Sequence, residues 1–214
     1  MSSNLLVIFS KSPEPGKVKT RLRPVLSDEQ CQSLHLAFLK DTITKARMVR
    51  AKSLLCISGS GMLPEGFKIP VRMQVGSDLG ERMLNSFRQD LIEHQRVVII
   101  GTDSPVLKPA VIDEAFDMLG SFDAVFGPAE DGGYYLIGLS KLVPELFQNV
   151  EWGGSKVLIQ TLQRLDANRS FLLERCFDVD LPVDLSRLEL AIQNDSSPWL
   201  QHTKEWFEDY SSTR

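Results

Sequence analysis

Hydrophobic residues along this chain arrive in short dense runs separated by amphipathic stretches. Leu5-Leu6-Val7-Ile8-Phe9 is continuously apolar, the pattern of a central parallel strand covered on both faces. Leu54-Leu55-Cys56-Ile57-Ser58 and Arg96-Val97-Val98-Ile99-Ile100 repeat it, and Phe122–Phe126 and Tyr134–Leu139 read as two more strands. Val71, Met73 and Val75 alternate with polar residues and predict a weaker strand, and Phe171-Leu172-Leu173 predicts another. Ser27-Asp28-Glu29-Gln30 reads as a helix start, with Ser27 as the cap and Gln30 at the capping-box position. Leu34, Phe38, Leu39, Thr42 and Ile43 then recur at helical spacing. Asp78–Gln95 (Leu79, Met83, Phe87 and Leu91 on one face), Pro109–Leu119 and Lys156–Leu165 predict further helices, and two polar helices close the chain. Strands alternating with helices predict βαβ units of the α/β class: a mostly parallel central sheet sandwiched by helices, with right-handed crossovers. No internal repeat or long linker breaks the pattern, so residues 1–214 are expected to form a single domain.

Composition narrows the function classes. At 43% hydrophobic and 24% charged the chain resembles ordinary globular proteins. A net charge of -4 lacks the basic footprint of a nucleic-acid binder, so its cations matter where they cluster locally. Cys31, Cys56 and Cys176 show neither CxxC spacing nor a paired histidine, which argues against a disulfide framework and a zinc site; Cys56 and Cys176 read as buried thiols. His35, His94 and His202 fall on predicted helices and read as exposed or cap-region residues. The N-terminus has no basic n-region, and no stretch approaches the roughly 20 apolar residues of a membrane span. A cytoplasmic protein is the expectation.

Four loops carry candidate chemistry. Lys11-Ser12-Pro13-Glu14-Pro15-Gly16-Lys17-Val18-Lys19-Thr20-Arg21 follows the first strand, where an α/β fold places its phosphate loop. Its prolines stiffen the backbone, Gly16 permits a close approach, and Lys11, Lys17, Lys19 and Arg21 offer cations for phosphate. It is not a Walker A loop, and no GxGxxG dinucleotide fingerprint exists, which sets aside a dehydrogenase. Gly101-Thr102-Asp103-Ser104-Pro105 puts a carboxylate at the C-terminal tip of a buried strand, where ligands of open α/β sheets bind. One or two carboxylates there, with substrate phosphates, suffice for Mg²⁺; a helix cap is the competing reading of Asp103 or Ser104. Glu130-Asp131-Gly132-Gly133-Tyr134-Tyr135 reads as a hairpin turn able to face a ligand. Asp178 and Asp180 alternate along an extended segment and so share a side, whereas Asp184 reads as a helix cap.

Taken in order, these loops together with Gly76-Ser77-Asp78-Leu79-Gly80-Glu81-Arg82-Met83 resemble a bacterial glycosyltransferase or nucleotidyltransferase family. That family belongs to the nucleotide-diphospho-sugar transferase superfamily, with its glycosyltransferase-A, Rossmann-like fold. The chain is also similar to the guanylyltransferases that activate phospholactate. The resemblance spans residues 4–185 and implies a Mg²⁺- or Mn²⁺-dependent transferase. Its donor would be a nucleoside triphosphate or a nucleotide-sugar and its acceptor a small molecule, with neither nucleic acid nor membrane as partner. By the same resemblance Asp103 and Asp180 would be metal ligands. Lys11, Gly16, Lys17, Lys19 and Arg21 would bind the nucleotide, Lys19 and Arg21 also serving catalysis with Asp103. Asp131, Gly132, Gly133 and Tyr134 would line the acceptor side. Leu181 and Val183 stand where relatives commonly have Thr and Glu, and Trp152 is followed by Gly153-Gly154 rather than a Ser/Thr-rich stretch. A non-catalytic nucleotide-binding module is the alternative, separable by turnover.

Overall fold

The computed structural model describes residues 4–61, 63 and 66–212. The strands are β1 (Asn4–Lys11), β2 (Lys52–Ser58), β3 (Val71–Met73), β4 (Arg96–Ile100), β5 (Ala124–Pro128), β6 (Tyr134–Leu139) and β7 (Ser170–Leu172). They form one seven-stranded sheet in the order β3-β2-β1-β4-β6-β5-β7. β6 runs antiparallel to both its neighbours, and every other pairing is parallel. β1 lies centrally because its run can be covered on both faces: Leu6, Val7 and Ile8 are all fully buried.

The two-residue period of β1 divides the core. Leu6 and Ile8 pack with Leu39 and Ile43 of helix α1 (Asp28–Ala46) and with Ile112 and Phe116 of α3 (Pro109–Met118). Val7 and Phe9 pack on the opposite face with Met83 and Phe87 of α2 (Leu79–Asp90) and with Phe147. The outer side of α1 carries a third cluster, in which Leu34 and Phe38 meet Leu188 of α5 (Pro182–Ile192) and Trp206 of α6 (Gln201–Ser212). A short α4 (Val157–Leu162) completes the helices. Ser27 and Gln30 form the expected reciprocal capping box, and Asp78 caps α2 by accepting from Glu81 N at 2.8 Å.

The differences from expectation are local. α2 ends at Asp90, whose carbonyl is taken by His94 N, instead of reaching Gln95. α4 is six residues rather than ten. β5 starts at Ala124 because Phe122 and Asp123 close a turn: Asp123 N donates to Arg169 O, and its carboxylate pairs with Lys141 and Arg169. Two burial expectations are corrected. His35 is not exposed but 4% accessible, wedged beneath the end of β1. Of the thiols, Cys31 and Cys56 are buried, while Cys176 is only half-buried because it sits in the irregular segment beyond β7. No helix among the described residues is long and apolar enough to cross a membrane.

Candidate active site

At the C-terminal edge of β1 and β4 a cleft of about 500 Å³ opens. Lys11, Lys19, Arg21 and Arg82 line it with Asp103, Asp178 and Asp180, above an apolar floor that includes Phe9, Ile99 and Ile137. The strands deliver these residues directly. Lys11 ends β1, and Asp103 follows β4 by three positions. Asp178 and Asp180 precede α5 on a segment joined to the Asp103 loop by Val179 N donating to Asp103 O at 2.9 Å. This is where an open α/β sheet binds ligands.

Lys19 is the hub. The basic loop tucks Val18 and Leu22 into the core, and between them the Lys19 backbone adopts a left-handed conformation, φ 48°. That turn sends its side chain inward, leaving it 3% exposed. Its ammonium donates to Val179 O at 2.7 Å, lies 2.5 Å from Asp103 Oδ1 and 3.7 Å from Asp180 Oδ1, and sits 5.2 Å from the centre of the Phe38 ring. From the solvent side, Arg21 Nη1 reaches Asp180 Oδ2 at 3.4 Å.

Charge states follow from these contacts. Desolvation in the cleft works to raise the Asp103 pKa, but the Lys19 ammonium outweighs it and holds the carboxyl below its ordinary value. Asp178 goes the other way, to about 7. Burial dominates there, and the charges of Asp103, Asp131 and Asp180 add to it against the hydrogen bond from the Ser104 hydroxyl. Burial lowers the pKa of His35, whose Nε2 lies 3.0 Å from Lys11 O and 3.2 Å from Ser10 Oγ, so a neutral ring braces the end of β1.

The expected residues separate into those at the cleft and those outside it. Lys11, Lys19, Arg21, Asp103, Tyr134 and Asp180 line it. Lys17 instead pairs with Glu14 at 2.8 Å, and the Gly16 carbonyl accepts from Arg23. Asp131 closes its own turn by accepting from Gly133 N at 2.9 Å, although its charge is felt at Asp178. Gly132, at φ +92°, passes so close to Ser155 that any Cβ would collide with its carbonyl. Tyr134 turns inward against Phe126, at 5.7 Å between ring centres, and burial pushes its phenol up. Arg82, Gln74 and Ser58 also line the cleft without having been assigned a role from the sequence. The signal for Arg82 was present in the Gly76–Met83 motif. Its Nε donates to Gly76 O at 3.0 Å, and its other guanidinium N–H groups have no partner among the described residues.

The donor set suits a hard divalent cation. Asp103 and Asp180 both bring carboxylate oxygens to one ammonium, so a positive charge already sits where they converge. Among the described residues no group of three His, Cys, Asp or Glu side chains is placed to hold a metal; an ion at Asp103 and Asp180 would need its remaining ligands from substrate phosphates and water.

The chain is similar to several nucleotide-handling transferases. A crystal structure from Desulfovibrio desulfuricans G20, named as a nucleotide-diphospho-sugar transferase, is 32% identical, with a TM-score of 0.87 over 96% of this chain and 95% of that one. The 2-phospho-L-lactate guanylyltransferase of Methanocaldococcus vulcanius is 24% identical over 209 residues, 94% of this chain and 89% of the relative. A cytidylyltransferase from Leptospira borgpetersenii shares the fold, with a TM-score of 0.59 over 99% of this chain and 96% of that one at 11% identity. Residues 29–154 match the model of DUF2064, described as an uncharacterized protein conserved in bacteria. The chain therefore belongs to the DUF2064 family, within the nucleotide-diphospho-sugar transferase superfamily.

Proposed function

We propose that this nucleotide-dependent transferase moves a nucleotidyl group from a nucleoside triphosphate to the phosphate of a small phosphorylated acceptor, releasing pyrophosphate. The observation that carries the reading is the convergence of Asp103 and Asp180 on Lys19, inside a cleft that also holds Lys11, Arg21 and Arg82. The relatives named as 2-phospho-L-lactate guanylyltransferases favour GTP as the donor and a phosphorylated hydroxy acid as the acceptor.

In this reading an acceptor phosphate oxygen attacks the α-phosphorus, and the bond to the β-phosphate oxygen breaks. Asp103 and Asp180 would hold Mg²⁺, which would supply charge neutralisation at the phosphates. Lys11, Arg21 and Arg82 receive the triphosphate oxygens, and Arg21 can do so while retaining its contact with Asp180. Lys19 orients the two carboxylates and keeps Asp103 ionised. No covalent enzyme intermediate is required: positioning and electrostatics supply the catalysis. Glycosyl transfer from a nucleotide-sugar is the second reading, favoured by the name of the Desulfovibrio relative.

Product analysis separates the two. Incubation with GTP, 2-phospho-L-lactate and Mg²⁺ is expected to release pyrophosphate, to stop in EDTA, and to slow at least 100-fold in Asp103→Asn. A nucleotide at about 100 times its Kd should add about 2.7 kcal/mol of stability in a melting assay. Release of a nucleoside diphosphate from a nucleotide-sugar, with none of pyrophosphate from any triphosphate, would favour the second reading. Binding with no turnover on any donor would leave only a nucleotide-binding module.

A further inference from the structure

We propose that Lys45 of α1 is a positioning residue: its ammonium, donating to the carbonyls of Ser104 and Pro105, locks the loop that presents Asp103. This rests on the metal-dependent reading above. Lys45 is 1% exposed, and its Nζ lies 3.1 Å from Pro105 O and 3.4 Å from Ser104 O. No carboxylate lies within ion-pair distance of it among the described residues, so its direct partners are peptide carbonyls, with the charge of Asp41 felt only from further off. Desolvation opposes that arrangement and brings the ammonium down to about 7. An apolar side chain would fill the same space without that cost.

What the cation secures is two consecutive carbonyls directly after Asp103. The other backbone holds are Gly101 N donating to Tyr135 O at 3.3 Å, Asp103 O accepting from Val179 N at 2.9 Å, and Ser104 O accepting from Leu107 N at 3.1 Å, so Pro105 O, which Lys45 reaches at 3.1 Å, is the carbonyl that the cation secures most directly. Rotation of the peptides at 104 and 105 would swing the Asp103 carboxylate away from Lys19 and carry the Ser104 hydroxyl off Asp178. Lys45 opposes that rotation from a rigid base. Ile43 and Ala46 beside it are core residues. Asp41, one turn back, is bound to the start of α6 through His202 N and Thr203 N at 3.0 and 2.8 Å.

The test is Mn²⁺ binding, counted by electron paramagnetic resonance with saturating GTP. Lys45→Met is expected to weaken Mn²⁺ at least ten-fold while GTP affinity in EDTA stays within two-fold of wild type. Phe147→Leu, a core truncation beneath α2, is the destabilised control and is expected to bind Mn²⁺ as wild type does. If Lys45→Met does not fold, Lys45→Gln, which keeps an amide donor on a shorter chain, is expected to lose at least three-fold. Wild-type Mn²⁺ affinity in the folded Lys45 variant overturns the proposal, as does an equal loss in Phe147→Leu, which would mark a merely structural role. Absence of Mn²⁺ binding in the wild-type protein itself would overturn the metal-dependent reading first, and this proposal with it.

Discussion

Lys19 donates to the Val179 carbonyl while it neutralises Asp103, so Lys19→Met strips a cation from a carboxylate that is half open to the cleft. The wild-type pair depresses the Asp103 pKa below 3.8. A depressed carboxylate stabilises the fold in full above its unfolded pKa, and that contribution disappears as the pH falls through the folded value. Lys19→Met is therefore expected to be about 1 kcal/mol less stable at neutral pH, since solvent screens the half-open carboxylate, with the gap narrowing below pH 3.8. Urea unfolding between pH 3 and 7 checks this, and a gap independent of pH would assign the loss to packing against Phe38 instead. At this scale the basic loop was legible as a cluster of cations, but not which of them turn inward. Lys17 and Lys19 are two residues apart, and a left-handed backbone at Lys19 alone sends one to Asp103 while the other reaches Glu14.

At the scale of elements, caps and strand cores were legible because their causes are local. Ser27 and Gln30 sit three residues apart, and β4 and β6 carry unbroken apolar runs. Ends set by tertiary partners were not. The β5–β6 hairpin depends on Gly132, whose carbonyl accepts from Leu158 N at 3.0 Å and whose position excludes a Cβ. Gly132→Ala faces both a left-handed φ and a collision with backbone, which cannot move aside as a side chain could. Its expected cost is about 2–4 kcal/mol, above the ordinary range for a strained backbone position alone. Chemical denaturation measures it, and Gly153→Ala, with a similar φ of +86° but open space around it, is expected to cost less.

At the scale of the whole molecule, a buried carboxylate joins the C-terminal helix to the body. Asp41 is 1% exposed and accepts from His202 N, Thr203 N and His202 Nδ1, serving as an N-terminal cap for α6 supplied from α1. Asp41→Ala leaves those backbone donors without an acceptor and is expected to lower stability by about 2–3 kcal/mol. Hydrogen exchange is expected to show the loss first in α6, while β1 and β4 stay protected; uniform loss across the sheet would argue against a local clamp. The sequence by itself determined the α/β alternation, the central place of β1, and the carboxylate at the tip of β4, because hydrophobic period and turn chemistry act over a few neighbouring residues. Only the tertiary structure decided that Asp180 comes alongside Asp103, that Asp178 gives up its acidity to burial, and that Arg82 joins the cleft while Lys17 does not. Those outcomes depend on contacts between residues distant in sequence, such as that of Lys19 with Val179, 160 positions away, and on desolvation, and neither leaves a periodic trace along the chain.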